Sequence, residues 1–259
     1  MFEVDLTGKV AWVTGGARGI GRAVCLALAK AGADIAIGYR SRDDEARSLA
    51  AEIEKLGRKT HLAKGDVGKR DEVMAMHEQL AAALGPVDVM VCNAGGRKDN
   101  LFMLMTPDEW AEVFDTNVMG TVWPIQAVLP GMWARRRGRI ITVSSVAAHA
   151  GGRGQSNYAA SKGAVEALTR QLAVELAPRG IAVNCIAPGA VDTSIWEGVA
   201  AEFDELAVKH QLVPRKGKPE EIAAWVVMLA SEEGAFTTGQ VLHIDGGWKL
   251  GWVTPSAKK

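Results

Sequence analysis

The chain has 259 residues, 48% of them hydrophobic and 23% charged, which is ample apolar sequence for the core of one large α/β domain. Its 30 basic and 30 acidic side chains cancel, so no global field draws nucleic acid or an anionic membrane surface. Residues 1–5 lack a basic stretch followed by an apolar one, and no apolar run reaches membrane-spanning length, so a soluble, cytoplasmic protein is expected.

Short apolar runs alternate with stretches of helical periodicity along the whole chain. The former predict strands at Val10–Val13, Ile35–Tyr39, Thr60–Ala63, Val87–Cys92, Arg139–Val143, Ala182–Ile186 and Val241–Ile244. The latter predict helices over Ile20–Ala31, Asp43–Leu56, Arg70–Leu84, Thr106 to about Arg136, Asn157–Leu176 and Pro219–Leu229. Such alternation implies an α/β class: a doubly wound parallel sheet (Rossmann fold) of about seven strands, with helices on both faces and right-handed crossovers. With no Pro/Ser-rich linker, repeat or low-complexity segment, residues 1–259 read as one domain. Within it, the irregular region 190–214 is expected to be a substrate lid, and 254–259 a frayed tail. Pro124 and Pro130 are expected to kink or segment the fourth helix.

The first strand runs into Thr14-Gly15-Gly16-Ala17-Arg18-Gly19-Ile20-Gly21, a glycine-rich turn opening a helix. Glycines there let backbone amides approach a pyrophosphate, which the helix N-terminus stabilises. At the end of the second strand stand Arg40, Ser41 and Arg42, where a ribose would arrive, with no acid before Asp43. Arg40 together with Arg18 suits a 2′-phosphate, which a planar guanidinium binds bidentately, so NADP(H) is expected over NAD(H); solvated arginines are the bland alternative. Asp66-Val67 and Asn93-Ala94-Gly95 follow the third and fourth strands, at the carboxyl ends where open α/β sheets bind ligands. Asp66 serves equally well as a helix cap on local grounds. Asn117 falls within a helix, where asparagine is unfavourable unless its side chain bonds something specific.

Ser145 follows the fifth strand, facing the same crevice, and is placed to hydrogen-bond a substrate carbonyl. His149, in the next loop, either touches substrate or is simply exposed. Tyr158 and Lys162 sit at i and i+4 on one helix face. An ammonium so close is expected to lower the phenol from its usual value of about 10, fitting it to exchange a proton with a carbonyl or alcohol oxygen. Taken alone, the pair reads equally as two solvated residues. Cys25, Cys92 and Cys185 form no C-x-x-C pair and read as small buried hydrophobes, and the five histidines share no metal spacing, so no metal is expected.

Taken in order, these motifs resemble the NAD(P)-dependent short-chain dehydrogenase/reductase family across essentially the whole chain. The matching pieces are Thr14–Gly21, Asp66, Cys92–Gly95, Asn117, Ser145, Tyr158 with Lys162, Pro188-Gly189 with Thr193, and Ile244–Gly247. The resemblance implies Tyr158 as general acid, Ser145 orienting the carbonyl, Lys162 on the nicotinamide ribose, and Asn117 holding a water in a proton relay. It implies Gly15, Arg18, Gly19, Ile20 and Gly21 around the phosphates, Asp66 and Val67 on adenine, and Asn93, Ala94 and Gly95 on the adenosine ribose. Val191 and Thr193, beyond Pro188 and Gly189, would meet the nicotinamide amide. Within the family, Asp99–Met105, Asp108–Trp110 and Gln155–Ala160 are similar to β-ketoacyl-(acyl carrier protein) reductases of fatty acid or polyketide biosynthesis. That likeness implies a thioester substrate, carrier docking through Arg136 and Arg179, and a homotetramer; Arg135–Arg137 alternatively offset a helix dipole. Gly96-Arg97-Lys98 departs from the pattern in being more basic. Trp12, Trp110, Trp123, Trp133 and Trp225 are expected to be packing residues, Trp196 to line the lid pocket, and Trp248 and Trp252 to approach a neighbouring subunit. The same chemistry on another small-molecule carbonyl or alcohol, and an NADP-binding sensor without turnover, remain as other readings.

Overall fold

The computed structural model describes residues 4–193, residue 208 and residues 211–250. Seven parallel strands form one sheet: β1 (Val10–Val13), β2 (Asp34–Tyr39), β3 (Thr60–Lys64), β4 (Val89–Cys92), β5 (Gly138–Val143), β6 (Ile181–Pro188) and β7 (Val241–Ile244). Their order, β3-β2-β1-β4-β5-β6-β7, reverses direction between β1 and β4. The principal helices are α1 (Gly19–Lys30), α2 (Asp43–Lys55), α3 (Arg70–Leu84), α4 (Pro107–Phe114), α5 (Gly120–Arg135), α6 (Ser156–Leu176) and α7 (Pro219–Ala230).

Every residue of β1, β4, β5 and β6 is buried. Strands covered on both faces carry no polar alternation, which is why they read as continuous apolar runs in the sequence. The period of two survives inside the core. Ala11 and Val13 pack with Val24 and Leu28 of α1, Ile53 of α2 and Val226 of α7. Val10 and Trp12 pack on the opposite face with Leu80 of α3, Val128 of α5 and Leu176 of α6. Each such fully buried aliphatic side chain contributes about 1.5–3 kcal/mol relative to exposure.

The fourth helical stretch is broken, but at neither proline. Pro124 and Pro130 both lie inside α5, whereas the interruption is a π-helical turn at Asp115–Met119, upstream of both. That turn holds Asn117, and wide π turns of this kind recur at functional sites. The strand ends also shift: β6 continues past Ile186 to Pro188, in register with Ile244 of β7, and β4 begins at Val89 rather than Val87. Of the expected lid, residues 194–207 and 209–210, including Trp196, lie outside the described residues, as do Trp252 and 254–259. No helix among the described residues is long and apolar enough to cross a membrane.

Candidate active site

A crevice of about 600 Å3 opens along the carboxyl ends of the strands, where the strand order reverses. Volume and position fit a dinucleotide together with a small substrate. Gly15, Arg18, Gly19, Ile20, Gly21, Arg40, Ser41, Asp66, Val67, Asn93, Ala94, Gly95, Ser145, Tyr158, Lys162, Pro188, Gly189, Val191 and Thr193 all line it. Of the residues singled out from the sequence as catalytic or cofactor-binding, Asn117 alone is not in its wall.

The glycine turn is built to exclude side chains. A Cβ on Gly21 would stand 2.1 Å from the Gly15 carbonyl oxygen, and Gly15 itself has φ +62. Asn93 fastens the turn to the end of β4, its Nδ2 donating to the Thr14 and Gly15 carbonyls at 3.0 Å. Thr14, part of the glycine motif but given no role there, completes the joint: its Oγ1 accepts from the backbone amides of Asn93 and Ala94 at 3.1 Å. A threonine directly before the glycines was the available signal.

At the end of the crevice beside β2, Arg40 Nη1 lies 3.6 Å from Asp66 Oδ2. Asp66 does not cap a helix; its Oδ1 accepts from the Gly68 amide at 3.0 Å, closing a turn ahead of Lys69, which occupies the N-cap of α3. Arg42, also in the crevice wall, adopts a left-handed conformation (φ 75) and pairs with Glu45 at 3.2 Å. Glycine-lined walls and guanidiniums at the strand-β2 end fit a phosphorylated dinucleotide.

At the other end, Tyr158 and Lys162 leave α6 one turn apart, with Lys162 Nζ 5.7 Å from the centre of the Tyr158 ring. The expected lowering of the phenol is not found. Burial raises the Tyr158 hydroxyl above 10.0, and the groups that oppose this are the Ser145 hydroxyl and the Arg97 charge, not Lys162. Lys162 turns its ammonium onto the Val143 carbonyl at 2.8 Å, and burial pushes it down to about 8. Burial drives each group toward its neutral form, and Lys162 is not among the charges that act on the phenol. Burial also raises the thiols of Cys92 and Cys185, the latter to about 11, so they stay neutral beside the lysine.

Asn117 meets the condition set for a helical asparagine. Its Nδ2 donates to the Gly96 carbonyl (3.0 Å) and to Ser161 Oγ (2.8 Å), and its Oδ1 accepts from the Gly96 amide at 2.8 Å. It makes no direct bond to Lys162, yet a Cβ on Gly95 would lie 3.3 Å from both Asn117 Oδ1 and Lys162 Nζ. The two polar groups therefore converge behind Gly95.

Several peripheral expectations change. His149 is an exposed residue, as one of its two readings had it, but its ring turns away from the crevice toward Glu166 at 2.8 Å. Trp248 lines the crevice of its own chain. Trp12 is fully buried, whereas Trp133 and Trp225 are 38% and 45% exposed. Trp133 stacks with the Arg179 guanidinium at 4.2 Å, and Arg136 donates to the Pro178 carbonyl at 2.9 Å, so both arginines stand side by side. Arg137 instead bonds Asp88 at 3.1 Å. Arg97, which the basic Gly96-Arg97-Lys98 stretch put at the mouth of the active site, enters the wall near Tyr158.

A sequence model described as enoyl-(acyl carrier protein) reductase matches residues 15–249. The 3-oxoacyl-(acyl-carrier-protein) reductase of Staphylococcus epidermidis is 39% identical over 239 residues, covering 92% of this chain and 98% of the relative. The chain belongs to the short-chain dehydrogenase/reductase family. The 3-oxoacyl-(acyl-carrier-protein) reductase of Vibrio harveyi is 40% identical over 246 residues, covering 94% of this chain and 98% of the relative. Among solved structures, a short-chain type dehydrogenase/reductase from Mycobacterium marinum superposes with TM-score 0.90 at 37% identity, covering 94% and 96% of the two chains. A gluconate 5-dehydrogenase from Burkholderia cenocepacia, in complex with NADP and tartrate, does so with TM-score 0.90 at 33% identity, covering 95% and 97%. The protein is thus an oxidoreductase of the short-chain dehydrogenase/reductase family, which binds a nicotinamide cofactor.

Proposed function

We propose that this protein is an NADPH-dependent ketoreductase that reduces a 3-oxoacyl thioester, carried by acyl carrier protein or coenzyme A, to the 3-hydroxyacyl product. The observation that carries the reading is one crevice with Ser145, Tyr158 and Lys162 at one end and Arg18 and Arg40 at the other. The names of the Staphylococcus and Vibrio relatives point to the same substrate class.

Bound in the crevice, the reduced nicotinamide supplies the hydride. Gly15, Arg18, Gly19, Ile20 and Gly21 would hold its phosphates, Asp66 and Val67 the adenine, and Asn93, Ala94 and Gly95 the adenosine ribose. Arg40 and Ser41 would face the 2′-phosphate, and Val191 and Thr193, beyond Pro188 and Gly189, the carboxamide. Ser145 donates a hydrogen bond to the substrate carbonyl oxygen and so fixes where it sits. Tyr158 gives that oxygen its proton; a hydroxyl kept protonated by burial is in the form an acid needs. Hydride on carbon and proton on oxygen balance the conversion of ketone to alcohol. Lys162, cationic below about pH 8, would hold ribose hydroxyls and stabilise the phenolate left behind. Asn117, converging with Lys162 behind Gly95, would hold the water that returns the proton.

Docking of an acidic carrier is supported by the neighbouring Arg136 and Arg179 at the surface. Assembly as a homotetramer is supported by exposed apolar side chains on helical faces, Val174 of α6 and Trp225 of α7 among them. A second reading, reduction of another carbonyl such as a sugar, polyol, steroid, polyketide or aryl ketone, is favoured by Trp248 and Arg97 in the wall. The test is to mix the protein with NADPH and an acetoacetyl thioester, in carrier-bound and coenzyme A-bound forms, and follow nicotinamide absorbance. Oxidation with either supports the proposal, and a faster carrier-bound reaction supports docking. No oxidation with either, alongside turnover of simple ketones, replaces the first reading with the second.

A further inference from the structure

One buried acid takes no part in the chemistry above. Glu166 is 3% exposed, lies on α6 one turn beyond Lys162, and does not line the crevice. Burying a carboxylate costs several kcal/mol unless it is well bonded, and a leucine would fill this helix face without that cost. Its two partners explain its presence. Oε1 accepts from Ser144 Oγ at 2.8 Å, and both oxygens reach His149 Nε2, at 2.9 and 2.8 Å. Ser144 and His149 are the two flanks of the short segment that carries Ser145. Between them the chain makes a single 3-10 turn at Val146–Ala148, and Ser145 Oγ accepts from the Ala147 amide at 3.2 Å. Ser144 Oγ also reaches the Lys162 carbonyl at 3.2 Å, and the far side of the His149 ring meets His243 of β7 edge-on at 4.6 Å.

We propose that Glu166 is a positioning residue, which sets Ser145 against Tyr158 by clamping both ends of the serine-bearing segment to helix α6. Tyr158 lies on that same helix two turns earlier, so the clamp makes the Ser145–Tyr158 separation a property of one rigid element. The Ser145 hydroxyl already acts on Tyr158, drawing its pKa back against burial. Loss of the clamp loosens that contact, and misplacing a catalytic group by about 1 Å can cost about a hundredfold in rate. For turnover the inference rests on the ketoreductase reading; for the serine–tyrosine contact it does not.

The test therefore has two readouts. The chain holds only two tyrosines, so in a Tyr39→Phe background the phenolate absorbance after a pH jump reports Tyr158 alone. Glu166→Ala is expected to move the Tyr158 midpoint upward by about half a unit. It should lower kcat about tenfold to a hundredfold, with KM and NADPH affinity held within about threefold. Glu166→Gln keeps acceptor and shape, and should restore both readouts to within about threefold of the parent. A Glu166→Ala protein that is folded but unchanged in midpoint and kcat overturns the proposal. So does a Glu166→Gln protein as impaired as the alanine variant, because charge rather than the clamp would then matter. If Glu166→Ala does not fold, His149→Ala releases one flank alone: a lower kcat with an upward midpoint supports the clamp, and unchanged values overturn it. A parent protein that reduces no thioester removes the ketoreductase reading and leaves the tyrosine titration to decide Glu166.

Discussion

Replacing Lys162 with methionine keeps the aliphatic stem and removes an ammonium from a wall in which the residue is 4% exposed. Burial lowers this lysine from 10.5 to about 8, a cost to the charged form of about 3 kcal/mol. Because the folded pKa is depressed, that cost is fully present below pH 8. It fades as pH rises from about 8 toward 10.5, where the unfolded lysine also gives up its proton. Methionine forfeits the 2.8 Å bond to the Val143 carbonyl, and a buried acceptor left without its donor costs about 1–3 kcal/mol. On balance Lys162→Met should be more stable than the parent by up to about 2 kcal/mol at pH 7, or up to about 8 °C in melting midpoint, while losing turnover. The difference should shrink between pH 8 and 10.5. Urea unfolding followed by tryptophan fluorescence at pH 7, 9 and 10.5 measures it. A variant less stable at pH 7, or a difference that stays flat with pH, refutes the account of the buried ammonium.

Tyr158→Phe should lower kcat by about two to four orders of magnitude with NADPH affinity nearly unchanged, and activity retained in that variant would dismiss Tyr158 as the acid. Arg40→Asp replaces a cation 3.6 Å from Asp66 with a second anion, and should move the NADPH/NADH preference toward NADH by about tenfold or more; kinetics with both cofactors decide it, and an unmoved ratio counts against the 2′-phosphate reading. Gly21→Ala places a Cβ 2.1 Å from the Gly15 oxygen and 2.6 Å from Asn93 Nδ2, so it should destabilise the fold by about 1–3 kcal/mol and abolish cofactor binding. Calorimetric titration giving parental affinity would show that the turn does not frame the phosphates.

The order of elements was legible because its causes are local. β1 and β7 match the apolar runs residue for residue, and α3 matches its helical period from Arg70 to Leu84. The π turn at Asp115–Met119 was not legible: one extra residue in a turn scarcely disturbs a 3.6 period, and the nearby prolines signal a break further downstream. Trp248 in the crevice and the His149 ring on Glu166 were equally hidden, since both are set by contacts between segments far apart in the chain.

The glycine turn, the crevice at the strand ends, and the shared face of Tyr158 and Lys162 follow from the sequence alone, through spacing and backbone geometry. The protonation states on that face do not. Spacing of i and i+4 predicted a lowered phenol, whereas the packed sheet, α4 and α6 exclude water and drive tyrosine and lysine alike toward neutrality. Glu166 carries the same lesson. In the sequence it is one more acid on a helix; the fold buries it between Ser144 and His149, because the dielectric and the partners of a side chain are set by elements far away in the chain.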